Sequence, residues 1–566
     1  DNVSQVIQAV NQILKADGIQ FENSLAFLKK DFQLENMEPP SSAIAQVTQL
    51  LKTIGPEERR ILECAAFIGT EFNATILSNA LNEERLNVLA SLRELESNGL
   101  IVDILDQDDV YRFSSSMILN GIRYVTSNAQ AGSTDNMSQI VREYHFCVAR
   151  AIEKQFNVSS DEAPDTSTID DHTLYRLAKR SKAAGEQLAA RALHYNIAAQ
   201  TRAMKSSQYH NSILFGRNAL VSAEKLGVSS LQPSMIESIF STMRGMIYTN
   251  TNPVQIKSFY QSAESVISTK SIENRVNHQL MLKCLFADAI IHDFSNSYIG
   301  EITTAVDGIT AHLTADDDAI SPVNRVFAEL SLIRLKREPD KDDDQDLEKL
   351  KGLLSEIDGI EQPEDDQFLL RIKSEVIEEL LKVDLEDVVT GGQRRIDPEQ
   401  WRALLDDGKK LKVAVDDKEG LSQLFLFDGE YCLKRQDHTN ASVAFSEALR
   451  LATEVGSMDF ASDAHTGLGK VDLVNQNYKD ALIKFSKAAV ESKIDNNIPN
   501  QYAALNGVFS VAIQLEDQEV IKEFSDEVVS LFSMDEDRES DDQYHRLVAL
   551  LKDCASFAPE VESLIT

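Results

Sequence analysis

The chain has little of what usually marks chemistry. Its 566 residues include five cysteines, Cys64, Cys147, Cys284, Cys432 and Cys554, scattered and without a CxxC pair. An odd, dispersed set excludes a disulfide framework and a zinc ribbon and leaves reduced thiols packed as small hydrophobes. Tryptophan occurs once, as Trp401. No apolar run approaches the ~18 residues of a membrane helix. The opening DNVSQVIQAVNQ lacks a basic stretch leading into an apolar one, so neither a membrane span nor a signal peptide is expected, and the expected location is cytoplasmic. Positive charge is also scarce: 56 Lys and Arg stand against 91 Asp and Glu, a net charge of −35. Such a field repels phosphate backbones and anionic lipid. Nucleic acid and membrane are therefore not expected partners, whereas neutral or basic proteins are.

Catalytic and cofactor patterns are missing as well. There is no GxxxxGK[ST], HExxH or GxSxG, and the ten histidines are spread from His145 to His545. No phosphate cradle, zinc hydrolase site or serine elbow can be assembled, and the expectation is no catalytic residue, no metal ligand and no cofactor in this chain. Asp340, Asp342, Asp344 and Asp346 alternate as in a calcium loop, but Gln345 and Lys351 occupy the places of its Gly and Glu, which leaves a solvated acidic linker.

What is present is a folded composition, 43% hydrophobic and 26% charged, and an internal repeat. Phe425, Gly429, Ala441, Phe445 and Ala448 recur 40 residues later as His465, Gly469, Ala481, Phe485 and Ala488. Small residues at these places let two antiparallel helices approach while a Phe fills the gap to the next hairpin. The pattern resembles the tetratricopeptide repeat. Such a unit cannot bury its apolar face alone, so hairpins stack into a curved surface able to hold another protein. On that surface the partner-binding candidates are Glu430, Lys434, Lys470 and Asn475.

Earlier in the chain, SAIAQVTQLLKTIG reads as a helix stopped by Gly55, with Pro56 opening the next. EFNATILSNAL reads as a third helix. Asn82 then serves as N-cap to a fourth, whose apolar stripe is Leu86, Leu89, Leu92 and Leu95 before Gly99. IVDIL and VYRF flank an acidic turn as two antiparallel strands. Helices followed by such a hairpin form a winged helix. Residues 41–130 carry seven basic and twelve acidic side chains, which argues against a DNA-reading role. ALHYNIAAQTRAMKSSQYHNSILFGRNALVSAEKLG shows the small-residue logic again at Ala198, Ser212, Gly216 and Ala219, closing at Gly227. Trp401, after a first-turn Pro398 and an N-cap Asp397, anchors a helix start in the core.

The order of these pieces resembles the C-terminal half of the STAND class of signal-transducing ATPases, including MalT-like regulators and the ATPase modules linked to class III nucleotide cyclases. The likeness is carried by Pro40, Ser42, Arg60, Leu62, Ala65, Ala66, Gly69 and Phe72, then Leu92, Leu95, Gly99, Leu100 and Ile101, then Tyr111, Arg112, Phe113, Ile118 and Tyr124. The resemblance implies a winged helix packed as a lid on an ATPase domain of the same polypeptide, with repeats sensing a protein partner. It also implies that residues 1–37 end a preceding ATPase-like module and that the chain is part of a longer protein. One departure stands out: Ser115 replaces the His the family carries two residues after the wing aromatic. The expected fold is mainly α, a small winged-helix domain followed by an α-solenoid of tetratricopeptide-like hairpins. Its expected divisions are 38–130 for the winged helix, 131–190 for connecting helices, 191–400 for degenerate repeats and 401–566 for tetratricopeptide-like repeats. The alternative reading is a free-standing helical-repeat adaptor without an ATPase.

Overall fold

The structure, a computed structural model, describes residues 19–22, 25–28, 41–104, 109–128, 139–158, 164–206, 208–226, 232–248, 253–269, 273–291, 299–315, 319–337, 344–361, 366–389, 395–495, 497–535 and 542–555. Most of the segment expected to end a preceding module, Pro40, Gly227 and the linker residues Asp340 and Asp342 lie outside the described residues. The chain divides into two compact units, residues 1–206 with 210–242 and residues 207–209 with 243–566.

In the first unit, β1 (Ile19–Glu22) pairs antiparallel with β2 (Leu25–Leu28). There follow α1 (Ser41–Thr53), α2 (Pro56–Ile68), β3 (Glu71–Asn73), α3 (Ala74–Leu81), α4 (Arg85–Ser97), β4 (Ile101–Asp103), β5 (Val110–Phe113) and α5 (Ser116–Asn128). The strands form an antiparallel sheet in the order β3-β5-β4, with Ile101 opposite Phe113 and Glu71 opposite Arg112. Three expectations need correction. Glu71–Asn73 is a strand, because Asn73 caps α3 by accepting N–H bonds from Thr75 (2.8 Å) and Ile76 and so holds the preceding residues extended against β5. Asn82 ends a helix instead of starting one: it takes the left-handed conformation that Asn tolerates, with φ 53°, and Glu84 precedes α4. Leu86 is 77% exposed, since the face of α4 turned to the core runs through Val88, Leu92 and Leu95.

The core of this unit is built on α2, whose residues Ile61–Ile68 are all buried. Its one buried carboxylate, Glu63, is bonded by Arg59 at 2.8 Å and by the Tyr144 hydroxyl at 3.1 Å. Its carbonyl end draws three arginines, Arg123 to Ala66 O (2.8 Å) and Arg180 and Arg176 to Ile68 O (3.2 and 3.5 Å), as the negative end of a helix dipole favours. Burial, reinforced by Arg180 and Arg123, pushes the His145 imidazole down to about 3, so it packs as a neutral ring against Phe67. The unit continues through α6 (Gln139–Gln155), α7 (Asp171–Ala183), α8 (Ala189–Lys205), α9 (Tyr209–Leu226) and the start of α10 (Pro233–Tyr248). Gly216 permits a close approach here: a Cβ there would collide with Thr242 Oγ1 and Gln200 Nε2.

The second unit is an α-solenoid: α11 (Pro253–Thr269), α12 (Arg275–Ile291), α13 (Ile299–Ala315), α14 (Pro322–Lys336), α15 (Asp344–Asp358), α16 (Gln367–Val389), α17 (Pro398–Ala414), α18 (Lys418–Lys434), α19 (His438–Val455), α20 (Met458–Val474), α21 (Tyr478–Ile494), α22 (Ile498–Leu515), α23 (Gln518–Met534) and α24 (Asp542–Cys554). From α17 onward one local geometry recurs every 40 residues. Asp397, Asp437, Asn477 and Asp517 stand as N-caps before α17, α19, α21 and α23. Gln436, Gln476 and Glu516, just before the last three of these, all have positive φ. Phe445, on α19, lies against Gly429 of its own hairpin and Gly467 of the next, and Phe485, on α21, lies likewise against Gly469 and Gly507. At each of these glycines an added Cβ would fall inside the ring's van der Waals shell. Ser422 donates to Ala448 O at 2.9 Å, and Ser462 to Ala488 O at 3.0 Å. The last hairpin exchanges the sizes: Phe509 stands where Gly429 and Gly469 do, and Ser525 where Phe445 and Phe485 do. Its two helices touch far less than those of the two preceding hairpins.

The middle hairpins lack this register and are joined by charge. Arg334, on α14, reaches Asp288 on α12 (3.4 Å) and Glu375 and Glu379 on α16 (3.5 and 3.1 Å), while Arg337 also takes Glu379 (3.1 Å). Burial pushes the Asp288 carboxyl up to about 7 despite Arg334.

Candidate protein-binding surface

In the last hairpins the first helices α18, α20, α22 and α24 pack on one another in succession, whereas the second helices α19, α21 and α23 scarcely meet. The row of first helices therefore lines the inner, concave side. Residues at i, i+4, i+7 and i+11 share one helical face. On α18 that stripe is Glu419, Gln423, Leu426 and Glu430. On α20 it is Asp459, Asp463, Thr466 and Lys470, and on α22 Pro499, Ala503, Asn506 and Ser510.

Of the four residues proposed from sequence for partner binding, Glu430 and Lys470 meet: the Lys470 ammonium bonds Glu430 Oε1 at 2.7 Å across the two helices. Lys434 is exposed on the last turn of α18, and Asn475 is exposed where α20 ends, its N–H donating to Val471 O at 3.1 Å. The residues proposed for packing, Gly429, Ala441, Phe445, Ala448, Gly469, Ala481, Phe485 and Ala488, are buried between helices. Phe425 is the exception and a correction. It is half-buried, with the Lys409 ammonium 3.9 Å from its ring centroid, and its equivalent 40 residues on, His465, bonds Glu491 at 2.7 Å, so neither serves as an apolar filler between hairpins. Trp401 is fully buried and stacks on Tyr431 with centroids 4.1 Å apart.

At the mouth of the stripe the electrostatics are lopsided. Lys412 is buried yet bonds Glu378 at 2.7 Å and Asp417 at 2.8 Å. Burial opposes its charge, but Asp417 and Glu378 outweigh that and lift its pKa. Asp417 is held below the usual carboxylate range, the burial that raises it being outweighed by Lys412 and Arg371. Glu419 is pushed well up by burial, with Asp417, Asp459 and Glu378 adding repulsion. Burial also lifts Asp459 to about 6 and Asp463 well above the usual range. Asn497 and Asn500 donate their amides to Asp459 Oδ1, the latter at 3.0 Å.

Gly467 and Gly507, Ser422 and Ser462, and the left-handed turn residues Gln436, Gln476 and Glu516 obey the same 40-residue offset, so the repeat carries a signal for them beyond its Phe, Gly429-type and Ala positions. The acidic stripe was not legible, because many carboxylates in a helical chain give no sign of which ones converge.

No protein-family model matches the chain, and no curated protein matches it by sequence. Among solved structures it is similar to a Signal Transduction ATPase with Numerous Domains (STAND) protein with a tetratricopeptide repeat sensor from Pyrococcus horikoshii, at 12% identity over 94% of this chain and 67% of that one, TM-score 0.37. It is also similar to a chain of the APC/C hetero-tetramer Cut9–Hcn1, at 13% identity over 78% of this chain and 88% of that one, TM-score 0.21. At these scores the α-solenoid reading rests on the helices and contacts of the second unit itself.

Proposed function

We propose that the chain is a non-catalytic protein-binding segment that holds a partner polypeptide along the inner surface of α18, α20 and α22. The observation that carries this is the succession of first helices packed side by side, in which Glu419, Gln423 and Glu430 of α18 run beside Asp459, Asp463, Thr466 and Lys470 of α20 and Lys470 bonds Glu430. Charge reversal at both Lys434 and Lys470 tests it. Capture of the partner in a pull-down should change while the melting temperature holds, rising for a basic partner and falling for an acidic one, and unaltered capture would remove this surface from consideration.

In the fuller form of the proposal, α2 to β5 act as a winged helix that relays the solenoid's state to a nucleotide domain of a STAND-type ATPase, as a two-state element biased by partner binding. The element order α2-β3-α3-α4-β4-β5 supports the winged-helix reading. On its third helix, α4, Arg85 is committed to Asp109, and Arg60 of α2 is committed to Glu83, which disfavours DNA. A free-standing adaptor remains the second reading, and one observation favours it. Ser115, at the place of the family's nucleotide-facing His, accepts the Ile118 N–H at 3.2 Å and so serves as a helix cap. A P-loop sequence upstream of Asp1 in the gene would decide for the ATPase form.

A further inference from the structure

Buried polar atoms are nearly always hydrogen-bonded, so those that are not call for an explanation. Three acceptor atoms on the inner face are buried without a partner: Glu419 Oε2, Thr466 Oγ1 and Asn506 Oδ1, on residues 8%, 5% and 4% exposed. They lie one on each of α18, α20 and α22. Thr466 and Asn506 hold equivalent places 40 residues apart, and Glu419 is equivalent to Asp459, on the same stripe as Thr466. The donors nearby are already engaged. Lys412 spans Glu378 and Asp417, Lys470 is on Glu430, Asn497 and Asn500 serve Asp459, and the Asn506 amide donates to Gln543 O and Oε1 at 3.2 and 3.0 Å.

Negative charge exceeds what these donors neutralise. Glu378, Asp417 and Glu419 share the buried ammonium of Lys412, with Arg371 acting on Asp417, while Asp463 and Glu430 share Lys470 beside Asp459. A divalent cation does not suit the arrangement, because among the described residues no three His, Cys, Asp or Glu converge as a metal site. Unfilled acceptors and surplus carboxylates strung over successive helices instead suit several separate N–H donors carrying positive charge.

We infer that the stripe Glu419, Asp459, Asp463, Thr466 and Asn506 receives the arginine or lysine side chains of an extended basic segment of a partner protein. The inference rests on the protein-binding reading and adds the partner's chemistry. Packed helices stand about 8–10 Å apart, and an extended chain in the polyproline-II form advances about 3.1 Å per residue with three residues per turn, so the cationic side chains on its one face should recur about every third residue.

The test is selection of displayed random dodecapeptides on the full chain, with retained peptides then titrated by fluorescence anisotropy at low and high salt. Retained peptides are expected to be enriched in Arg or Lys at three-residue spacing. Their affinity should fall at least tenfold in the isosteric pair Glu419→Gln with Asp463→Asn and fall steeply with salt. Both variants should melt no lower than the parent, since each removes a buried carboxylate from its like neighbours; a residue needed only for folding would lower the melting temperature. Gln423→Arg, which places a guanidinium on the stripe while keeping every carboxylate, should also block the peptides. Retained peptides without cationic enrichment that Lys434 and Lys470 reversal still displaces would overturn the basic partner and leave the inner surface standing. Retention indifferent to every one of these variants, or no retained peptide at all, would overturn both.

Discussion

The last hairpins and the middle ones solve the same problem, holding one helix against the next, by different means. Between α18 and α22 the helices close on small residues: Gly429 and Gly467 flank Phe445, Gly469 and Gly507 flank Phe485, and a serine hydroxyl ties each first helix to a carbonyl of its partner. Between α12 and α16 a single guanidinium, Arg334, gathers three carboxylates from two helices. Close packing tolerates little change in size at a given place, so it stamps a period on the sequence. A charge network can be built from long side chains at several places, so it leaves none.

The sharpest way to break the comparison is Phe485→Ala. The ring's two glycine neighbours have no side chains with which to refill the space, and the loss should be about 4 kcal/mol in denaturant unfolding of the second unit. A cost below about 1 kcal/mol would mean that the glycines do not depend on the ring. Arg334→Met should come next, at about 3 kcal/mol, because it takes from buried Asp288 and Glu379 and half-buried Glu375 the guanidinium they share, leaving only Arg337 on Glu379. Adding Glu379→Gln should recover part of it, and additive losses would show that no network exists.

A smaller effect separates the acidic stripe from both. The folded protein holds the Asp459 proton up to about 6, above the ordinary carboxyl value, so this group contributes most at low pH. That contribution is lost as pH rises from about 4 through about 6. Lowering the pH from 7.5 to 5.5 should therefore recover on the order of 1 kcal/mol, discounted for partial exposure, and Asp459→Asn should flatten that part of the stability profile. An unchanged profile would count against a buried carboxyl there. The smallest effect is Gln476→Gly, which relieves a left-handed side-chain residue, φ 62°, and should stabilise by about 0.5 kcal/mol, the gain being reduced by the greater freedom of an unfolded glycine. The same change at Gln436 should match it if the turns are equivalent.

How much of this was legible from sequence follows the same physics. The β4–β5 hairpin, the helix opened by Pro56, the burial of Trp401 and the Phe445–Phe485 register are set by local or periodic constraints and could be read directly. Asn82 could not, since a residue favoured both as an N-cap and in left-handed turns fits either side of a helix boundary. Glu71–Asn73 is not legible as a strand, because three residues carry too little period to announce one whose pairing partner lies about 40 positions away. Of the candidate surface, the helices bearing it and the charged residues Glu430 and Lys470 were legible, while the contact between those two residues was not.

By itself the sequence determined that the second unit would be stacked helical hairpins, because residue size at the points of closest approach must repeat for helices to stack at constant spacing. Only the tertiary structure decided which carboxylates of a strongly acidic chain would gather on one face and which buried acceptors would be left without a donor. Charge and hydrogen-bonding atoms act through space at a few ångströms, and residues 40 apart in the chain become neighbours only once the hairpins are stacked.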